Sequence, residues 1–153
     1  MDYIDRKIIE YIQASGRASY AEIGAAAGLS VSAVNERLKK LERQGAIRGW
    51  TALIDPVAAG CPVLAFVQVM IERPEHEPAF LALVRDEPAI LECHHVTGDW
   101  SYLLKVRVPD MAALERLLAR RIKQLPGIPR SHSVVVLSSA KDSPALPVPA
   151  GPA

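Results

Sequence analysis

The sequence predicts a two-part α+β protein, with an all-helical N-terminal part and a C-terminal part that mixes strands with helices. Through the first fifty residues, apolar side chains recur at the three- and four-residue spacing of helices. Breakers then interrupt the chain at Asp55-Pro56 and Gly60-Cys61-Pro62, and short apolar strands alternate with helices beyond them. We therefore expect a helical domain at residues 1–50, a strand and linker at 51–62, an α/β domain at 63–140 and a tail at 141–153.

The N-terminal helices carry signals for where they start and stop. Ser19 with Glu22 forms a capping box for the second helix, and Ser30 can cap the third. Gly28-Leu29-Ser30 lies between them as a tight turn, in which glycine suits a positive φ. Two short helices joined by such a turn are typical of a helix-turn-helix, the motif that places its second helix in a DNA groove.

The third predicted helix has an apolar and a polar face. Val34, Leu38 and Leu41 fall on one stripe, which we expect to pack against the first two helices. The opposite face carries short polar groups and then cations, the arrangement needed to reach base edges and phosphates. For double-stranded DNA we expect base-edge contacts from Ser32, Asn35 and Glu36, and phosphate contacts from Ser30, Arg37, Lys39 and Lys40.

Beyond residue 62 the predicted order is βαββαβ, the ferredoxin-like arrangement. Two helices would cover one face of such a sheet, while its first strand, residues 63–71, is apolar on both alternating sets. A partner subunit is therefore expected to cover the other face. We expect strands at residues 63–71, 90–97, 102–108 and 131–138, and helices at residues 78–86 and after Asp110. The tail holds four prolines and few groups that can pack, so we expect it to be disordered.

Composition narrows the class of protein. Half of the 153 residues are apolar and the net charge is +1, so a nucleic-acid site has to be a local basic patch. No apolar run approaches the roughly 20 residues of a membrane span, and the start of the chain lacks a signal peptide's pattern. We expect a cytoplasmic protein with no membrane association. The two cysteines form no CxxC pair, so a structural zinc site is not expected. We expect no cofactor.

Two other functions depend on the strand at residues 90–97. Cys93 and His95 share one of its faces and His132 lies on the last strand, which leaves a metal or redox sensor open. Cys93 and His94 point to opposite faces and cannot act as a nucleophile and its base. The sequence also has no phosphate loop and no paired carboxylates on one face, so we do not expect an enzyme.

Several segments of the chain are familiar, in order and in spacing. They read DRKII (5–9), GRASYAEI (16–23), GLSVSAV (28–34), RLKKLERQGAI (37–47), IDP (54–56), CHHVTGD (93–99), YLLKV (102–106) and LPGI (125–128). With these segments the chain resembles the Lrp/AsnC family of leucine-responsive, or feast/famine, transcription regulators. The resemblance implies a winged helix-turn-helix followed by the family's ligand-sensing (RAM) domain. It also implies a homodimer of packed sheets, commonly assembled to octamers, with an amino acid or similar small effector bound between dimers.

The resemblance further indicates where an effector binds. In the family, the turn after the second strand of the sensing domain reads Gly-Asp, an aromatic residue and then Asp, whose charge can pair with an ammonium group. Here Ser101 stands at that last position and the charge is lost. The effector residues implied are His95, Thr97, Gly98, Asp99, Ser101, Met111, Val134 and Val135. Three outcomes stay open: an unusual amino acid or another metabolite, a standard amino acid held by backbone groups and Asp99, or no small effector. An effector-independent protein that organises the nucleoid is the alternative function.

Overall fold

The computed structural model describes residues 1–149, which form two compact units. Residues 1–53 and 141–149 make up the first unit, and residues 54–140 make up the second. The helices of the first unit are α1 (Tyr3–Ala14), α2 (Tyr20–Ala27) and α3 (Val31–Arg43). Among residues 1–149, no helix combines the length and the apolar character needed to cross a membrane.

Side-chain caps fix where these helices begin, as the sequence predicts. Ser19 accepts a hydrogen bond from the backbone of Glu22, and the Glu22 carboxylate accepts one in return from the backbone of Ser19. Gly28 ends α2 with a φ of 73°, in the left-handed region that favours glycine. Apolar side chains from all three helices then form one buried core: Ile8, Ile12, Ile23, Ala27, Val34, Leu38 and Leu41.

The second unit is a four-stranded antiparallel sheet in the order β2-β3-β1-β4. Its strands are β1 (Val63–Val69), β2 (Ile90–His95), β3 (Tyr102–Val108) and β4 (Ser131–Val135). Its helical segments are a 3-10 turn (Pro74–His76), α4 (Glu77–Asp86), α5 (Met111–Leu117) and a π-helical turn (Leu118–Ile122). This is the predicted βαββαβ order.

One face of the sheet is packed and the other is open. On the packed face, alternate residues of β1 and β3 join Phe80 of α4 and Leu114 of α5 in a buried core. On the other face, Phe66 pairs in register with Lys105 on one side and with Val134 on the other. We call this second surface, with Leu64, Phe66, Gln68, Val134 and Val136, the open face of the sheet.

The predicted strand at residues 51–54 is wrong, and no strand of a wing forms within residues 1–53. Leu53 and Ile54 are 76% and 67% exposed, and the segment pairs with none of the four strands. A strand needs a partner backbone, and hydrophobic pattern alone does not supply one. Three predicted strands are also shorter than expected and stop at Val69, His95 and Val135.

Leu146 of the C-terminal tail contacts α1. Residues 141–149 form no helix or strand, but the Gln13 amide donates to the Leu146 carbonyl and accepts from the Leu146 N–H, at 3.0 and 2.7 Å. The expectation of a disordered tail stays a prediction, and residues 150–153 lie outside the described residues.

Candidate nucleic-acid interface and effector site

The faces of α3 divide as the sequence predicts. Val34, Leu38 and Leu41 are buried, whereas Ser32 and Lys39 are exposed. At the start of the helix, the Ser30 hydroxyl accepts a hydrogen bond from the Ala33 N–H and lies 3.1 Å from the Ser32 hydroxyl. The exposed face therefore presents hydroxyl groups first and cations later, with its cap already formed.

A groove runs along one side of this face. Asn35 and Lys39 line it together with two aromatic residues, Tyr20 and Trp50. The Trp50 indole N–H donates to the Glu42 carboxylate at 2.9 Å, which fixes the aromatic wall against α3. Sequence reasoning missed both aromatic residues, although each is large, apolar and exposed close to the predicted recognition helix.

The other side of the face holds a charged cluster that we call the Arg37 clamp, made of Asp2, Asp5 and Arg37. One guanidinium nitrogen of Arg37 lies 2.7 Å from a carboxylate oxygen of each aspartate, and Asp5 is fully buried. The hydrogen bond from Arg37 is the main reason that the pKa of Asp2 falls from 3.8 to about 2. Arg37 therefore joins α1 to α3 through one guanidinium nitrogen, and its phosphate contact stays a prediction.

The remaining predicted DNA residues lie beside this clamp. Glu36 and Lys40 line a second groove with Arg43, and both are exposed. In the part of the chain that the structure describes, no ion pair includes Lys39 or Lys40. Their charges are therefore available to a phosphate backbone.

In the second unit, residues 97–101 form the turn between β2 and β3. Gly98 has a φ of 102°, a conformation that side chains rarely adopt. The Val96 N–H donates to the Ser101 carbonyl, and the Ser101 N–H donates to the Val69 carbonyl. The Ser101 hydroxyl accepts a third bond from the Ile71 N–H at 2.9 Å. Ser101 therefore ties the turn to the end of β1, which gives its hydroxyl a structural use.

His95 belongs to an aromatic cluster next to this turn. Its ring stacks on Tyr102 with 5.0 Å between centroids, and Phe80 lies 4.9 Å from Tyr102 on another side. The Tyr102 hydroxyl donates to Glu77 at 2.5 Å, and this bond together with burial raises the pKa of Tyr102 to about 12. His95 is thus positioned by the packed face of the sheet.

A second group of side chains at the same end was not predicted. The guanidinium carbon of Arg130 lies 4.6 Å from the centre of the Trp100 ring. The His132 ring is tilted relative to the Trp100 ring, with 6.2 Å between their centroids. Arg130 also donates to the Asp99 carbonyl at 3.3 Å and to the Met70 sulfur at 3.3 Å. The signal was available, because the ferredoxin-like order puts the start of the last strand beside the end of the first.

The structure does not bring all predicted effector residues together. The turn at residues 97–101 and the loop before Met111 lie at opposite ends of β3, which has seven residues. At about 3.3 Å per residue, the strand separates them by about 20 Å. Val134 and Val135 pair with Phe66 and Ala65 and point to opposite faces of the sheet. One chain therefore groups His95, Thr97, Gly98, Asp99 and Ser101, but not Met111, Val134 and Val135 with them.

The residues weighed for a metal or redox site are also separated. Cys93 pairs with Leu104 on the packed face, whereas His132 pairs with Gln68 on the open face. Burial raises the pKa of the Cys93 thiol, which disfavours the thiolate that metals and oxidants need. Within residues 1–149, no three His, Cys, Asp or Glu side chains are placed to hold a metal ion.

Comparison with known proteins finds similarity across both units. A winged helix-turn-helix DNA-binding family model matches residues 1–48, and the Lrp/AsnC ligand binding domain model matches residues 64–146. The leucine-responsive regulatory protein of Escherichia coli is 41% identical over 145 residues, which cover 94% of this chain and 88% of that protein. The leucine-responsive regulatory protein of Klebsiella pneumoniae has the same identity and coverage.

Solved structures give the same result. A transcriptional regulator of Neisseria meningitidis in complex with L-Met superposes with a TM-score of 0.92 at 32% identity, covering 96% of each chain. The leucine response regulatory protein of Mycobacterium tuberculosis superposes with a TM-score of 0.82 at 34% identity, covering 97% of this chain and 100% of that one.

Proposed function

The chain belongs to the Lrp/AsnC family of DNA-binding transcription regulators, and on that premise we propose that it reads duplex DNA through the exposed face of α3. The observation that carries this assignment is the surface of α3 itself. Its apolar side is buried in the core of the first unit, while Ser32, Lys39 and Lys40 point outward from a helix that Ser30 caps. A helix held in this way can enter a major groove without losing any of its own contacts.

The roles of the individual side chains follow from their positions. Ser32, Asn35 and Glu36 lie in the first turns of α3, where short side chains can reach base edges. The cations Lys39 and Lys40 lie further along, where the helix leaves the groove and phosphates approach, and the Ser30 hydroxyl lies at the helix start. Arg37 belongs to the same set as a phosphate contact, although both aspartates of the Arg37 clamp hold one of its guanidinium nitrogens.

The second unit belongs to the ligand-binding part of the family, and we assign the effector site to the turn at residues 97–101 with His95 beside it. The complex of the Neisseria meningitidis regulator with L-Met supports an amino acid or a related small metabolite as the ligand. Because one chain keeps Met111 about 20 Å from the turn, a neighbouring subunit would supply it, and with it Val134 and Val135. The effector would then act by changing how subunits assemble or how tightly they hold DNA.

A homodimer through the open face of the sheet is part of the same proposal, with octamers as the larger assembly. Val134 is 52% exposed on that face, and Phe66 and Leu64 lie beside it. Apolar side chains in the centre of a sheet face are usually covered by another layer. We expect the dimer to act on chromosomal DNA in the cytoplasm, without a catalytic role.

Selection from a pool of random duplexes tests the assignment of α3. We expect the full-length protein to enrich a preferred sequence. Ser32→Ala is expected to lower the preference for that sequence over scrambled DNA by roughly tenfold, because one base contact contributes about 1–3 kcal/mol. Lys40→Ala is the matched control and is expected to weaken binding to both duplexes alike. Failure to bind any duplex would contradict the proposal. Binding to duplexes without enrichment of any sequence would point to a DNA-organising protein instead.

A further inference from the structure

Three loops meet at the end of the sheet that carries the turn at residues 97–101. The end of β1 lies between the start of β3 and the segment before β4, and the Met70 N–H donates to the Arg130 carbonyl at 3.2 Å. From there the Arg130 side chain extends across Met70 and reaches the ring of Trp100 and the carbonyl of Asp99. The guanidinium is therefore held over the turn by three separate contacts.

All of these contacts are made to uncharged groups: a ring, a backbone carbonyl and a thioether. Among the ion pairs of residues 1–149, none includes Arg130, and the residue is exposed. A guanidinium has five N–H groups, of which two are used here. An arginine laid over an aromatic ring keeps its planar edge open to a carboxylate, which it can bind through two parallel hydrogen bonds.

The other polar groups of the turn complement this arrangement. The Ser101 hydroxyl is neutral and already accepts the Ile71 N–H, so it offers no charge to an ammonium group. The ring of His132 adds a polar group 6.2 Å from the Trp100 ring. Asp99 contributes its carbonyl to Arg130, and its own carboxylate is the one negative charge among residues 97–101.

We propose that Arg130, seated on Trp100, binds the carboxylate of the effector, so that this site selects carboxylic acids by their anion. The inference rests on the proposed effector role of the turn and adds the chemical class of the ligand. Amino acids and 2-oxo acids both satisfy it, because each carries the carboxylate. An amine with the same side chain but no carboxylate does not.

Thermal unfolding of the full-length protein tests this selection. The probes are the twenty L-amino acids and the 2-oxo acids of leucine and methionine, followed by the amine that corresponds to each amino acid that stabilises the protein, all at millimolar concentration. We expect at least one carboxylate to raise the melting temperature and its amine counterpart to have no effect. Equal stabilisation by the amine, or no stabilisation by any carboxylate, would overturn the proposal.

Variants of Arg130 then test the residue itself. Arg130→Gln is expected to weaken binding of the carboxylate about tenfold or more, and Arg130→Lys is expected to keep only part of the native affinity. The control is Arg85→Gln, an exposed arginine at the other end of the unit, which is expected to bind like the native protein. If Arg130→Gln binds as tightly as Arg85→Gln, Arg130 is not the anion site.

A direct optical readout comes from Trp100. Replacing Trp50 by Phe leaves Trp100 as the only tryptophan. A carboxylate bound to the neighbouring guanidinium is expected to change the emission of Trp100, with the same dissociation constant as in thermal unfolding. Emission that stays constant while the melting temperature rises would place the ligand elsewhere and overturn the proposal. DNA binding without ligand is measured on the native protein. If the native protein binds no DNA, the proposed function is contradicted, whereas DNA binding without carboxylate binding contradicts only this inference.

Discussion

The Arg37 clamp shows how single residues couple two helices. Asp2 caps α1 and Asp5 occupies its first turn, and both meet the same nitrogen of Arg37 on α3. Asp5 is fully buried, so its charge needs the Arg37 guanidinium as a partner. The sequence shows each of these residues as a polar group on a helix surface. Only the folded chain shows that Arg37 lies beside two carboxylates.

The clamp makes the stability of the first unit depend on pH. The pKa of Asp2 is about 2 in the folded protein against an ordinary 3.8, so its contribution is present above that ordinary value and is lost as the pH falls toward 2. Asp2→Asn keeps a good helix cap and removes the charge. We expect this variant to be less stable than the native protein at pH 6 and equally stable near pH 2.

Urea unfolding followed by circular dichroism at both pH values measures this difference. The control is Asp86→Asn, an exposed aspartate in α4 that forms no ion pair within residues 1–149. It is expected to match the native protein at pH 6. A difference between Asp2→Asn and the native protein that is the same at both pH values would show that the ion pair is not responsible.

At the scale of elements, the helix-turn-helix depends on a close approach inside α2. Gly24 lies within α2 and faces the turn that follows the helix. A Cβ built on it would lie 2.6 Å from the Leu29 carbonyl oxygen. The Leu29 N–H also donates to the Gly24 carbonyl at 2.9 Å. The angle between α2 and α3 therefore requires a residue without a side chain at this position.

Gly24→Ala is expected to destabilise the protein by roughly 1–3 kcal/mol, although alanine usually favours a helix over glycine. The backbone at Leu29 would have to move, which also tilts α3, so DNA binding is expected to weaken. Thermal unfolding and DNA titration measure the two effects. Gly16→Ala is the control, because its Cβ would lie 3.9 Å from the nearest atom. Equal melting temperatures for the two variants would show that the turn can relax.

The elements that the sequence predicts correctly are those with local causes. The capping box of α2, the left-handed Gly28 and the apolar periodicity lie within a few residues of the helices that they define. The strand at residues 51–54 fails for the opposite reason, because its pattern is apolar but no backbone in the chain lies beside it. Arg130 was missed because its contact with Trp100 joins residues that are far apart in sequence.

At the scale of the whole molecule, a surface for a second copy is the main feature that one chain leaves uncovered. The open face carries the exposed Val134 beside the partly buried Phe66, with the buried Leu64 next to them on β1. In a dimer packed through this face, a charge at residue 134 would be buried beside the apolar Phe66. We therefore expect Val134→Asp to convert the assembly to a monomer of 16.6 kDa, measured by light scattering after size-exclusion chromatography.

Two further observations make this result specific. The circular dichroism spectrum of Val134→Asp is expected to stay that of the native protein, which shows that the monomer is folded. Ala112→Asp, on the exposed side of α5, is the matched control and is expected to keep the native mass. A native protein that is itself monomeric, or a Val134→Asp variant of unchanged mass, would place any interface on another surface.

The salt dependence of DNA binding tests most directly whether the exposed face of α3 is the DNA surface. Fluorescence anisotropy gives the dissociation constant of the full-length protein on one duplex at several salt concentrations, and the slope of its logarithm reports the number of phosphates contacted. We predict a steep slope for the native protein and one that is lower by about one charge for Lys40→Ala. An unchanged slope in the variant would remove Lys40 from the interface, and a native protein that binds no duplex would contradict the account as a whole.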